Sequence, residues 1–485
     1  MLVAAYPKNT STYLLEPLYV IYGNRAKVVM DLKKFVVILL VILVSTVIIG
    51  VMALENSRLE ARRIVNEILG IRVPNISRIL EENTYPSKDL KIYINTLVDK
   101  AMSIIEEVAE LRDSNPHDKR VHKPLLEYAN RSLNNAIEAL AKNNLIEALD
   151  HAKSAIITAK HAEIYEQLVL NKTTPTEVMK TLKEDLEKLR ILHQEVLNEY
   201  TSYLRKEYID PSLLYVNYKI ELKLISTESL LKRAADFVSK NTIDPQGKPG
   251  NIRFDWIAGM AENLELAKYN LEEAQILLKR LGEAQVHEGM KITTLYEKLY
   301  EILLARLKEV ESKTNRSSLA YELLEKIKGI KSIAERMSSR GYYVYSLIRV
   351  LEGLTYIKML EEYNELNTLP AVTNGTRDQG VTINDLKELL KAKREAVNVL
   401  KITLNDTSRP SPYSKILLIL LTLSESKIKR ADQGLWYLKE NPLYEIARHH
   451  YLTLFYKYIE AKYYTLKLKD TINEIKQLTN NFKIT

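Results

Sequence analysis

Eight histidines, set among many glutamates, are the first place to look for chemistry in this sequence of 485 residues. Glu147 and His151 stand four residues apart, as do Glu445 and His449, with His450 adjacent. On a helix that spacing puts both side chains on one face, so each pair could offer two ligands to a metal ion held between helices. Di-iron bundles place a carboxylate and a histidine three apart, which neither pair does. The expectation is therefore solvated pairs and no metal. His193 falls on a hydrophobic seam, which points to a partly buried ring bonded to a neighbour rather than to a catalyst. Asp and Glu recur every few residues, so paired carboxylates carry no information about acid–base work.

The chain has no cysteine. That excludes disulfides, thiolate zinc sites, iron–sulfur ligation and cysteine nucleophiles. It contains no G-x-S-x-G, H-E-x-x-H, G-x-G-x-x-G or phosphate-loop pattern. Gly247-Lys248-Pro249-Gly250 reads as a turn, because no strand precedes it and no Ser or Thr follows the Lys. No catalytic or cofactor-binding residue is assigned, and no cofactor is expected.

Charge points the same way. Lys and Arg number 70 against 62 Asp and Glu; residues 1–54 hold five of the basic and two of the acidic side chains, leaving the remainder at +5. Signs are interspersed, as on a solvated surface rather than a nucleic-acid footprint. The exception is the last helix. His449, His450, Tyr451, Phe455, Tyr456, Tyr458, Tyr463 and Tyr464 interleave there with Lys457, Lys462, Lys467 and Lys469. Two readings stand: a surface for a glycan, a lipid headgroup or a partner helix, and a half-buried helix whose Tyr rings pack inward.

These side chains need elements to hold them, and the first element is oily. Phe35 to Leu54 runs 20 residues without a charge. As a helix it is about 30 Å long, the thickness of a hydrocarbon core. It predicts a retained transmembrane signal-anchor. A cleaved signal peptide is the alternative, with Val51-Met52-Ala53 resembling a cleavage site. Residues 1–34 form a short tail, and Met30-Asp31-Leu32-Lys33-Lys34 has the form of a complete export signal. The expectation is a translation start at Met30 or a disordered stretch over 1–29.

Four basic residues flank the anchor on each side. Lys33 and Lys34 abut it, and Glu55 opens the far flank, which favours N-inside and C-outside. Sequons at Asn75, Asn130, Asn171, Asn315, Asn374 and Asn405 agree with an exported body.

Beyond the anchor the pattern is helical. Ile94, Leu97, Ala101, Ile104, Val108 and Leu111 repeat at heptad steps, and so do Leu182, Leu186, Leu189, His193, Val196, Tyr200 and Tyr203. Breaks fall at Asn115-Pro116, Asp210-Pro211, 244–250, 373–380, Ser408 to Pro412, and Asn441-Pro442. Thr382 and Asp385 have the spacing of a helix cap. The apolar run Lys415–Leu423 is too short to span and reads as core. Leu140 to Ala152 resembles the inter-helix turn of a tetratricopeptide-type hairpin, over one hairpin only and without a sustained repeat. Glu228–Ala234 and Glu425–Ala431 echo one another weakly.

The sequence thus predicts an all-α protein of about a dozen helices: a single N-terminal transmembrane helix over 35–54, then a helical-bundle or irregular helical array, in regions 55–243 and 251–485. Few Gly and Pro, 14 of each, fit that class. Abundant Lys, Glu, Ile and Tyr without Cys fit a thermophilic source, archaeal among the candidates, although plentiful Asn pulls the other way. The expected function is non-enzymatic: protein–protein contacts or self-association in the cell envelope. A sensor or solute-binding ectodomain and an enzyme with an unrecognised helical site are the alternatives.

Overall fold

The computed structural model describes residues 32–82, 84–113, 123–206, 213–240, 253–283, 291–314, 319–365, 381–407, 412–440 and 445–480. Among these residues every regular element but one short 3-10 start is an α-helix, and no strand occurs. Fourteen helices follow one another: α1 (Leu32–Gly70), α2 (Ile76–Glu82), α3 (Ser87–Asp113), α4 (Lys123–Ala141), α5 (Leu145–Val169), α6 (Pro175–Lys206), α7 (Leu214–Lys240), α8 (Phe254–Glu283), α9 (Ile292–Lys313), α10 (Leu319–Ser338), α11 (Tyr343–Glu365), α12 (Ile383–Asp406), α13 (Pro412–Glu440) and α14 (Glu445–Asn480). The all-α class expected from the sequence holds.

The chain divides into two compact units, Met1–Ile64 and Val65–Thr485. In the first, α1 carries Leu39 to Val44, Val47, Val51 and Met52 with 45% to 62% of each surface exposed. Among the described residues no helix is long and apolar enough to cross a membrane. The expected span Phe35–Leu54 lies partly outside them: the side chains of 35–38, 48–50 and 53–54 are not described, nor are residues 1–31.

The second unit is a helical array. α5 packs on α3, α4 and α8, and α8 packs on α6 and α7. α11 packs on α9 and α10, and α14 on α11, α12 and α13. α7 touches both α11 and α13, joining the two groups. The heptad seams face inward as their spacing dictates. Ile94, Leu97, Ala101, Ile104 and Val108 are buried on α3, and Leu182, Leu186, Leu189, His193, Val196 and Tyr200 on α6. In the run 415–423, Ile416 to Leu421 are buried in α13, as a core helix requires. α4 and α5 form the expected hairpin, turning at Asn143, whose φ of 54° suits an Asn better than a branched residue.

Helix boundaries follow local chemistry. Thr382 accepts from the Asp385 amide at 3.1 Å while the Asp385 carboxylate takes the Thr382 amide at 2.8 Å, a complete capping box. Pro412 opens α13, where a missing N–H costs nothing. The expected breaks at 115–116, 210–211, 244–250, 373–380 and 441–442, and residues 408–411 of the fifth, lie outside the described residues.

Other helix ends are satisfied from far away. Glu221 of α7 accepts the backbone N–H groups of Val344, at 3.0 Å, and of Tyr345, at the start of α11. Gly341, with φ of 90°, makes the turn that aims those amides, and a Cβ there would meet Thr201 at 2.8 Å. Glu425 of α13 takes the Ser77 amide at 2.9 Å, capping α2. At the other pole, Lys393 of α12 donates to the Ile68 carbonyl in the last turn of α1 at 2.8 Å and pairs with Asp432 at 2.7 Å. Acids at N-termini and a cation at a C-terminus match the helix dipole.

Removing such a partner strands a buried group. Lys393→Ala should destabilise the second unit by about 3 kcal/mol, read as a lower urea midpoint at unchanged slope. An unchanged midpoint would show that the C-terminal turn of α1 does not depend on this contact.

Candidate functional site

Charged side chains gather in two buried clusters, each where several helices meet. The first centres on Glu273 of α8, which is 1% exposed. Its Oε1 accepts from Lys153 Nζ at 2.7 Å, and its Oε2 from Lys223 Nζ at 2.8 Å and Tyr85 OH at 2.9 Å. Burial alone would raise the Glu273 pKa, but the two ammonium groups reverse that and hold it at about 2. Burial has the upper hand at Lys223, which falls to about 8 despite the same carboxylate. Beside it, Lys219 pairs with Glu81, and Lys100 pairs with Glu265 under the Tyr269 hydroxyl. The Glu273 oxygens are filled by protein donors, so this cluster holds α5, α7, α8 and the α2–α3 connection together and offers no acceptor to a substrate.

The second cluster centres on Lys427 of α13. Its ammonium lies 4.5 Å from the Tyr464 ring centre and 5.5 Å from that of Tyr356. The two rings are 5.2 Å apart and tilted by 45°. Glu352 and Glu460 stand 3.8 Å and 3.9 Å away, beyond direct hydrogen bonding. Burial pulls the Lys427 pKa down, against both carboxylates. Arg349 takes Glu352 at 2.6 Å and stacks on Tyr345, while Lys326 takes Glu460 and stacks on Tyr356. Two buried atoms, Tyr464 OH and Arg349 Nε, have no hydrogen-bond partner among the described residues. The arrangement is an aromatic and anionic cage for an ammonium ion, and the chain's own lysine fills it.

Glu166 is a third case. It is wholly buried near the C-terminal end of α5, and neither carboxylate oxygen has a partner among the described residues. Burial pushes its pKa up to about 7, against the field of Arg112.

Of the residues singled out from sequence, Tyr464 lines the Lys427 cage, and the others that are described lie elsewhere. His151 Nε2 and Glu147 Oε1 are 3.8 Å apart on the partly exposed face of α5. His193 is buried and its Nε2 lies 3.2 Å from the Leu224 carbonyl, with burial lowering its pKa. The side chains of Glu445 and His449 lie outside the described residues. On α14, Tyr451, Tyr458 and Tyr464 turn inward, and the Tyr458 hydroxyl donates to Asp432 at 2.7 Å. Lys462 pairs with Glu395 and Lys469 with Asp406, each at 2.8 Å. Among the described residues no three His, Asp or Glu side chains converge as metal ligands would.

No protein-family model matches the chain, and no curated protein or solved structure matches it.

Glu273, Glu221, Lys427 and Glu166 were missed by motif reasoning. A signal existed for two of them. Glu273 sits in the same i, i+4 row as buried Tyr269 and Leu277, and Glu221 in a row with Tyr218 and Leu224. A charge on an apolar seam demands a partner.

Two expectations follow. Lys427→Met should leave stability unchanged or raise it, because Glu352 and Glu460 keep Arg349 and Lys326 while an ammonium without a close acceptor is removed. A urea midpoint lowered substantially would show that the cage depends on its cation. For Glu166, a folded pKa raised above the unfolded value means that stability falls as pH rises from about 4.5 through 7. Glu166→Gln should therefore match the parent near pH 4 and exceed it by roughly 1–3 kcal/mol at pH 8. Equal midpoints at both pH values would refute this.

Proposed function

We propose that this chain is a single-pass membrane protein whose helical body stands outside the cytoplasm and makes protein–protein contacts in the cell envelope. The observation that carries the reading is the apolar surface of α1. Leu39, Leu40, Val41, Ile42, Leu43, Val44, Val47, Val51 and Met52 are uncovered, whereas the same residue types on α13, such as Ile419 to Leu421, are fully buried. Leaving each such side chain in water costs roughly 1.5–3 kcal/mol relative to burial, so a contiguous patch of this kind calls for an apolar covering. Lipid is the covering consistent with the uncharged run Phe35–Leu54 around it. Lys33 and Lys34 before the run and Glu55 after it support the N-inside orientation.

For the body, the support is its surface. Both tryptophans of the chain are exposed, Trp256 by 54% and Trp436 by 66%, with Ile191 and Ile402 also uncovered. Trp is among the residue types enriched where proteins meet. The bilayer and envelope proteins, or a second copy of this chain, are the proposed partners. The Tyr- and Lys-rich helix α14 is the place for any headgroup or glycan contact.

The reading is tested on native membranes. The chain should stay in the pellet after a carbonate wash, and protease added to intact cells should cut the body. Leu43→Lys with Val44→Lys should cost roughly 5–7 kcal/mol of insertion and shift the chain to the supernatant. A parent chain released by carbonate, or a body protected until lysis, would overturn the proposal.

A further inference from the structure

We infer that Asn171 is an acceptor for an N-linked glycan. The inference rests on the exported body proposed above and goes beyond it by choosing one residue.

Of the six sequons beyond residue 54, those at Asn315 and Asn374 lie outside the described residues, and the fold treats the other four differently. Asn130 lies within α4; its amide nitrogen donates to the Leu126 carbonyl at 3.2 Å, and the Ser132 hydroxyl it would need is buried. The Asn75 side-chain Oδ1 accepts from the Arg78 amide at 3.3 Å, and the Ser77 hydroxyl donates to Glu425 at 3.1 Å. Asn405 is exposed, but it is part of the last turn of α12, and Thr407 donates to the Leu404 carbonyl at 2.6 Å.

Asn171 differs in its backbone setting and in its own side chain, while Thr173, like Ser77, has a carboxylate as its hydroxyl's acceptor. It projects from the turn between α5 and α6 and is exposed, and no hydrogen bond of its carboxamide is seen among the described residues. Its φ of 54° bends the chain sharply, as an acceptor loop on a surface does. The left-handed backbone explains an Asn here but not the Thr two residues later. The cap of α6 does not require that Thr either. Thr174 and Glu177 complete it reciprocally, with the Thr174 amide on Glu177 at 2.9 Å and the Glu177 amide on Thr174 Oγ1 at 3.2 Å. Thr173 adds one longer contact to Glu177 at 3.3 Å.

The donor class is a lipid-linked glycosyl phosphate. The Asn171 amide nitrogen attacks the anomeric carbon, forming an N–C bond. The bond from that carbon to the phosphate oxygen breaks, the phosphate leaves on the lipid with the electron pair, and the amide proton passes to solvent base. The product is a bulky, hydrated group on the turn between two helices.

The test is peptide mass spectrometry of the full chain purified from its native membranes, alongside external protease digestion of the same cells. The peptide carrying Asn171 should be heavier by whole sugar residues, and that carrying Asn130 should not. Thr173→Ala and Asn171→Asp should each abolish the increment, with the thermal midpoint of Thr173→Ala unchanged because the α6 cap survives. Unmodified Asn171 on a body that the protease reaches would overturn this inference and leave the proposed topology standing. Unmodified Asn171 on a protected body would overturn both. Equal occupancy at Asn130 would show that the folded surface does not select the site.

Discussion

A helix end packed against other helices exposes backbone groups that water cannot reach freely, and this array answers that constraint with charged side chains from distant helices. Glu221 reaches the amides that open α11, Glu425 reaches the amide that opens α2, and Arg280 and Lys393 reach carbonyls at Thr84 and Ile68. Wherever the side chain is ionised, which for Glu221 is above about 8, its charge has the sign the local dipole prefers. In an all-helical chain of this length the number of such ends is large, and among the described residues these four are met by side chains from distant helices.

The same contacts fix which helices are neighbours. Glu221 also accepts the Tyr200 hydroxyl at 2.9 Å, so one carboxylate binds α6, α7 and α11 into a single register. Asp432 accepts both Lys393 and Tyr458, joining α12, α13 and α14, and through Lys393 the end of α1. Glu273 does this for α5, α7 and α8. Apolar seams alone would allow helices of similar composition to exchange places or slide by a turn. A buried charge penalises every arrangement but the one that supplies its partner. We read the charged interior as a device for specificity more than for net stability.

That division explains what was legible in the sequence. Periodicity and caps are local, so the seams on α3 and α6, the Thr382 capping box, the buried run on α13 and the α4–α5 hairpin could be read directly. The partners of Glu221 lie 123 and 124 residues further on, and that of Lys393 lies 325 residues back. No spacing rule within one helix reaches so far. The histidine pairs were conspicuous because their spacing is local, and the fold leaves the described one as a loose surface contact. On α14 the same Tyr and Lys types fit a sticky face and an inward-packed helix equally well. Only the tertiary placement of Tyr451, Tyr458 and Tyr464 separates the two for those rings.

Titration sets the working range of such an interior. Glu273, held at about 2, contributes stability that is present above the ordinary glutamate pKa and is lost only as pH falls from about 4.5 toward 2. Glu166 and Glu221 behave oppositely. Burial raises them to about 7 and about 8, the latter against hydrogen bonds from Tyr345, Val344 and Tyr200, so both bind protons more tightly folded than unfolded. Their contribution is full in mild acid and declines as pH climbs through those values. Lys223, lowered to about 8, prefers to shed its proton in the folded state; it works against stability wherever the unfolded lysine is charged and the folded one is being forced to stay so. Charged partners inside the array therefore oppose strong acid, while the lone Glu166 and the helix-capping Glu221 oppose alkali. The array should be most secure in mild acid, a window set by which carboxylates found a cation and which found only backbone, a hydroxyl, or nothing.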